Sequence, residues 1–296
     1  MLRRSRSSLS AHLPSAASLT LVLLLCACAG EVRVDPDSSG LEAGSPEAAV
    51  QPLRVVGLAP SLNELVIAMG GAHHLAARTD YDDHPASAGL PSIGGGLDPS
   101  LEVLVGLGID LVLMVEARET PALAERLAEL GVRVAHFPTQ TLPDMYETIE
   151  LLGGELGLEQ SADSLASAIR DGLDDVAARV AAEEPVSVMY VVWSDPPMTT
   201  GGETFIDEVI RISGGRNVFA DAPIQWPTVG FESIVDRDPE IVLWPDGDVT
   251  TLDKERLRDT PGWREVPAVR EGRIILVDGD LFGRPGPNVV AAARHL

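Results

Sequence analysis

Apolar and polar positions along this chain switch between a period of two and a period near 3.6. Leu53 to Ala59 is a short β-rich apolar run, and the Ser61-Leu62-Asn63-Glu64 that follows reads as a capping box opening a helix that closes at Gly70-Gly71. This strand-turn-helix unit returns later. Val186 to Trp193 is strand-like, Thr204 to Ser213 is helical, and Gly214-Gly215 ends it, with Glu64 and Glu208 each six residues before their glycine pair. A second match holds a constant offset of 130: Leu101-Glu102 followed by Ile109 to Leu113 lines up with Phe231-Glu232 followed by Pro239 to Leu243. A third sets Gly131-Val132-Arg133-Val134 against Gly272-Arg273-Ile274-Ile275. Three matches in unchanged order predict an α/β protein of two duplicated, Rossmann-like lobes with parallel sheets.

Between the repeats, Leu165, Ile169, Leu173, Val176 and Val180 recur at spacings of four, four, three and four, without an intervening proline. That spacing predicts one long amphipathic helix. The body then divides into an N-terminal lobe over 53–156, a linker helix over 157–184 and a C-terminal lobe over 185–296. A helical strut resists bending, so small lobe motions are expected, and the ligand site belongs in the cleft between the lobes, at the loops after the strands.

The N-terminus changes the picture. Arg3, Arg4 and Arg6 precede an apolar run from Leu19 to Ala29, shorter than the roughly 20 residues a bilayer span needs, so residues 1–27 read as a signal peptide. Leu25-Cys26-Ala27-Cys28 resembles a bacterial lipobox and makes Cys28 the expected lipidation site. Cys26 and Cys28 are the two cysteines of the chain, which leaves the body no thiol for a disulfide, a cysteine metal site or a nucleophile. Residues 28–52, rich in Pro, Gly, Ser and acids, read as a flexible tether. The 45 acidic residues against 22 basic ones, a formal charge of −23, exclude nucleic acid as a main partner and leave the lipid anchor as the membrane attachment.

Candidate chemistry is sparse. No Gly-x-Ser-x-Gly elbow and no Gly-x-Gly-x-x-Gly cradle follows a strand, so no enzyme is expected. Asp80, Asp82, Asp83 and His84 read as a solvated acidic loop, His73-His74 as a helix-end pair, and the C-terminal lobe has no histidine before His295; no metal site is expected. Trp193, at a strand's end, is a ligand-contact candidate, whereas Trp263 after Pro261-Gly262 is expected in the core.

The run Arg54 to Ser61, the Gly-Gly-Arg-Asn-Val-Phe at Gly214 to Phe219, and Trp226-Pro227 with Glu232 resemble the helical-backbone substrate-binding proteins of ABC importers, the class III periplasmic binding proteins. Trp193-Ser194-Asp195-Pro196-Pro197 and Asp280 to Pro285 are most similar to the vitamin B12 (cobalamin) binding branch. The resemblance runs from about Leu53 to the end. It implies ligand contacts at Ser61, Tyr81, Trp226, Asp280 and Arg284, with Tyr81 and Trp226 offering aromatic faces to a corrin disc. Two positions that are tryptophan in cobalamin binders align with Gly96 and Val115. It further implies a monomer that delivers a corrinoid, held without any resident cofactor, to a permease dimer with its ATPase subunits; a ferric siderophore or haem is the alternative cargo. Glu102 and Glu232, each four residues after an expected N-cap at Asp98 and Thr228, are the implied docking residues.

Overall fold

The computed structural model describes residues 52–116, 121–246 and 254–296. The first half runs β1 (Val55–Gly57), α1 (Pro60–Ala68), α2 (Leu101–Gly106), β2 (Leu111–Val115), α3 (Pro121–Glu129), β3 (Arg133–Phe137) and α4 (Leu142–Leu156). Its three strands form a parallel sheet in the order β1-β2-β3, with Val55 beside Leu111 and Leu111 beside Arg133. β1 and β2 are buried along their whole length, as expected of a parallel sheet covered by helices on both faces.

The first helix corrects the capping-box reading. Its N-cap is Ala59, in extended backbone, and no side chain caps it. The residue before a proline is driven out of the helical region, and Pro60 suits the first helical position, where its missing N–H leaves nothing unpaired. Ser61 therefore lies inside the first turn, buried, and Glu64 is released for a distant partner. A capping box does form at α4, where Thr141 and Asp144 cap each other's backbone.

α5 (Glu159–Val180), 22 residues long, is the expected helix. Its buried stripe is Ala162, Ala166, Ile169, Gly172, Leu173 and Val176, smaller than the sequence pattern suggested because the neighbours come close. A Cβ on Gly153 of α4 would stand 2.6 Å from that of Ala162, and one on Gly172 would stand 2.7 Å from Val290. Burying Ile169, Leu173 and Val176 is worth about 1.5–3 kcal/mol each.

The second half runs β4 (Val186–Ser194), β5 (Pro197–Thr199), α6 (Phe205–Ile212), β6 (Gly215–Asn217), α7 (Phe231–Arg237), β7 (Ile241–Asp246), α8 (Lys254–Asp259), α9 (Pro267–Arg270), β8 (Ile274–Asp278), α10 (Gly279–Gly283) and α11 (Val289–His295). Its sheet is ordered β5-β4-β7-β8, with β6 also on β4. The order β4-β7-β8 repeats β1-β2-β3, and α2 with β2 matches α7 with β7 at the offset read from the sequence. One strand departs from the parallel plan. β5 is antiparallel to β4, since the two residues between them leave room only for a hairpin. One apolar cluster, including Leu62, Ile149, Ile169, Val188, Ile206 and Val289, is continuous from the first sheet along α5 to the second. Trp263 is in the core, edge-on to Phe231 at 5.3 Å and to Trp244 at 5.2 Å.

Candidate functional site

The loops at the C-terminal ends of both sheets enclose a cleft of about 1010 Å³. Ser61 enters it from the start of α1, Val115 from the end of β2, and Thr139 and Gln140 from the loop after β3. Tyr190 and Val192 of β4, Phe205 and Ile206 of α6, Trp226, Asp280 and Arg284 line it from the other half. Five of the six residues expected to meet ligand are thus brought together. Trp193 is not among the lining residues: successive strand side chains point to opposite faces, so Tyr190 and Val192 share the cleft face while half-exposed Trp193 donates its indole N–H to the carbonyl of Asp195 at 2.9 Å.

Depth grades along the cleft. Tyr81 and Leu97 are 67% and 68% exposed at its rim. Near its base the halves are tied together: Phe205 N donates to Gln140 O at 2.7 Å, Leu142 N to the Glu208 carboxylate at 2.6 Å, and Trp226 Nε1 to Gln140 Oε1 at 3.3 Å. Glu208 therefore serves the first turn of a helix in the opposite half. Gly96 lies so tightly on the chain that a Cβ there would fall 1.8 Å from the Leu58 carbonyl oxygen. No tryptophan fits that backbone, and the wall opposite Trp226 is built from Val115, Leu58 and Ala59 instead.

Arg284 dominates the electrostatics. Its Nη1 donates to Glu64 at 2.9 Å and to Asp83 at 3.0 Å, and its Nη2 to Asp280 at 2.7 Å and to the Tyr81 carbonyl at 3.3 Å. Glu64, Asp83 and Tyr81 belong to the first half, so one guanidinium from the second binds two carboxylates across the cleft and a third, Asp280, on its own side. Burial pushes the Glu64 carboxyl above its ordinary value, because desolvation outweighs what the Arg284 hydrogen bond and charge give back. Burial would raise Asp83 too, but there the hydrogen bond from Arg284 and its charge win, and the carboxyl sits below the ordinary range. The guanidinium pays a burial penalty of its own that its carboxylates more than offset, so its affinity for the proton rises.

The rest of the acidic loop is structural. Asp82 accepts from Thr79 N at 2.6 Å, Thr79 Oγ1 at 2.8 Å and Asn63 Nδ2 at 3.0 Å, and Asp80 takes the Ser92 hydroxyl at 2.5 Å. Among the described residues no group of three His, Cys, Asp or Glu is arranged to hold a metal ion. His74 uses Nδ1 on the Leu53 carbonyl at 3.0 Å.

Glu102 and Glu232 are exposed, each the second residue of its helix, α2 and α7. Their caps differ from the expected ones. Ser100 caps α2 by accepting from Val103 N at 3.3 Å, and Gly230 stands at the cap of α7, two residues beyond Thr228, whose backbone lies in an extended bridge with Met198. Asp98 lines the cleft instead. The lining residues that sequence reasoning missed are chiefly Thr139, Gln140 and Tyr190; the first two lie just before the Thr141 cap, and the third sits in an apolar run that reads as core.

Comparison with known proteins fits this geometry. The chain is 29% identical to a vitamin B12-binding protein of Photorhabdus laumondii over 246 residues, covering 83% of this chain and 86% of that one. It is 28% identical to an uncharacterized ABC transporter substrate-binding lipoprotein of Bacillus subtilis, covering 83% and 79%. Among solved structures, a periplasmic heme-binding protein from Roseiflexus sp. RS-1 superposes with a TM-score of 0.73 at 25% identity, covering 82% of this chain and 96% of that one. The periplasmic binding protein family model matches residues 55–281, so the chain belongs to that family, whose members bind substrates and are not enzymes.

Proposed function

We propose that this member of the periplasmic binding protein family captures a corrinoid of the vitamin B12 class in its cleft and, as a monomer, delivers it to an ABC importer. The observation that carries this reading is the state of Arg284. It is the one basic residue lining the cleft among the described residues, and three carboxylates already hold it. Haem propionates and the anionic ferric siderophores need free cations, and among the described residues this cleft offers them none, with Asp98 adding negative charge. A corrin fringe of neutral amides does not meet that repulsion. The volume suits it as well, since about 1010 Å³ is at the upper end of the roughly 300–1,000 Å³ of small-molecule sites. Native mass spectrometry of the purified protein with cyanocobalamin, haem and a ferric siderophore is expected to give a 1:1 complex with cyanocobalamin. Binding of haem or the siderophore with none of cyanocobalamin would overturn the reading.

Within the cleft, Tyr81 and Trp226 would face the disc from opposite lobes, with Ser61, Asp280 and Arg284 near its rim. Aromatic contact contributes about 0.5–1.5 kcal/mol beyond the area buried, so Trp226→Ala, which loses both, is expected to weaken cyanocobalamin binding at least tenfold by calorimetry. Unchanged affinity would remove Trp226 from the site.

Delivery requires the importer and a place to wait for it. The permease dimer, driven by its ATPase subunits, would meet Glu102 from one lobe and Glu232 from the other. Cys28, outside the described residues, would carry the lipid that holds the protein at the extracytoplasmic face. None of the described helices is long and apolar enough to cross a membrane, and residues 28–52 carry five acids against Arg33 alone, so nothing else there favours an anionic bilayer. Cys28→Ser is expected to move the protein from the membrane pellet to the soluble fraction. Retention in the pellet would show that the lipobox is not used.

A further inference from the structure

Deep in the cleft two hydroxyls have no hydrogen-bond partner among the described residues. Tyr190 is 3% exposed, between Met189 and Val191, whose side chains pack into the cluster on the opposite face of the sheet. It lines the cleft together with Val192, Phe205 and Ile206. Its backbone carbonyl accepts from Thr199 Oγ1 at 2.7 Å, but its own hydroxyl has no hydrogen-bond partner among the described residues. Thr139, 8% exposed and contributed by the other half, is in the same condition. The ring packs in the core, whereas neither oxygen is a solvent-excluded atom left unpaired, so both hydroxyls are available to whatever occupies the cleft.

We infer that Tyr190, seconded by Thr139, is the deep polar contact of the binding site, donating its hydroxyl proton to a neutral acceptor on the ligand, of the amide carbonyl class. The inference rests on the corrinoid reading, whose ligand carries such amides around its ring. Burial alone pushes the phenol well above its ordinary value. The group therefore stays protonated and offers a hydrogen rather than a phenolate. Before ligand binds, water satisfies the hydroxyl; the ligand's carbonyl replaces it with a better-ordered partner in a less polar setting.

Tyr190→Phe titrated with cyanocobalamin by calorimetry is expected to bind about tenfold more weakly than the unmodified protein, with the melting temperature of the ligand-free protein unchanged or slightly raised. Thr139→Val is expected to shift affinity in the same direction by a smaller factor. Equal affinity in Tyr190→Phe would overturn the inference, and so would a loss of affinity accompanied by a melting temperature several degrees lower, which would make the hydroxyl a structural group. Should the unmodified protein take haem and no cyanocobalamin, the corrinoid reading fails by itself, and the same variant is then titrated with haem. A tenfold loss with an unaltered haem spectrum keeps the hydrogen bond. Disappearance of a phenolate-to-iron absorption band in the variant would show iron ligation and overturn it.

Discussion

Reversing both Glu102 and Glu232 to arginine is expected to abolish uptake by cells and complex formation with the permease, while cyanocobalamin affinity stays within about twofold of the unmodified protein. The two glutamates stand at the second position of α2 and of α7, at matching places in a repeat offset by 130 residues, and both are exposed. A pair of identical membrane subunits presents two equivalent surfaces, and a pseudo-symmetric partner can answer with one carboxylate from each lobe. Losing one member of an interfacial charge pair costs about 2–5 kcal/mol or more. Two such losses compare with about 8 kcal/mol for an entire micromolar complex. The competing account makes both glutamates favourable first-turn charges for their own helices, worth about 0.3–1 kcal/mol each. That account expects slightly lower stability and normal transport. Uptake equal to the unmodified protein at matched expression would therefore leave them as helix-end residues.

The architecture was legible wherever a period spans an element. The matched runs ending at Gly70-Gly71 and Gly214-Gly215, and the pair Ile109 to Leu113 with Pro239 to Leu243, became β1-α1, β4-α6, β2 and β7, since the apolar spacing of a buried strand or helix is imposed by its own geometry. Local competition was harder to read. Pro60 outranked Ser61 as the start of α1, and Ser100 outranked Asp98 at α2, because several acceptable capping residues lay within one turn and only the backbone path chooses between them. β5 has three residues and begins with proline, too short and too ill-suited for a strand pattern to register. The site was legible in its aromatic rim and its Asp280-Arg284 spacing, but not in its charge balance. The decisive partner of Arg284 is Glu64, 220 residues away, and nothing within either segment points to the other. Tyr190 was hidden for the opposite reason: in an apolar strand its ring reads as core, and only the fold shows that its hydroxyl goes unused.

Arg284→Met is expected to lower the stability of the ligand-free protein by about 3 kcal/mol at pH 7, at the low end of what removing one partner of a buried ion pair costs, since Asp83 and Asp280 remain exposed to water. For a body of this size that is a fall of about 6–12 °C in melting temperature. The loss should depend on pH in a direction the charges dictate. Glu64 has its folded-state carboxyl raised, so its contribution is fully favourable below the ordinary glutamate value of 4.5 and is lost as pH rises through the folded value. Asp83 is lowered, so its contribution is present above the ordinary aspartate value of 3.8 and is lost as pH falls through the folded value. Deleting the guanidinium removes the gain at Asp83 and leaves burial to push Glu64 higher still. The gap between variant and unmodified protein should therefore be widest at neutral pH and close as acid protonates Glu64 in the variant. Melting curves at intervals from pH 8 to pH 4 test this. A gap that stays constant across that range would mean that the arginine's methylene stem, packed between the halves, contributes the stability and that its charge does not.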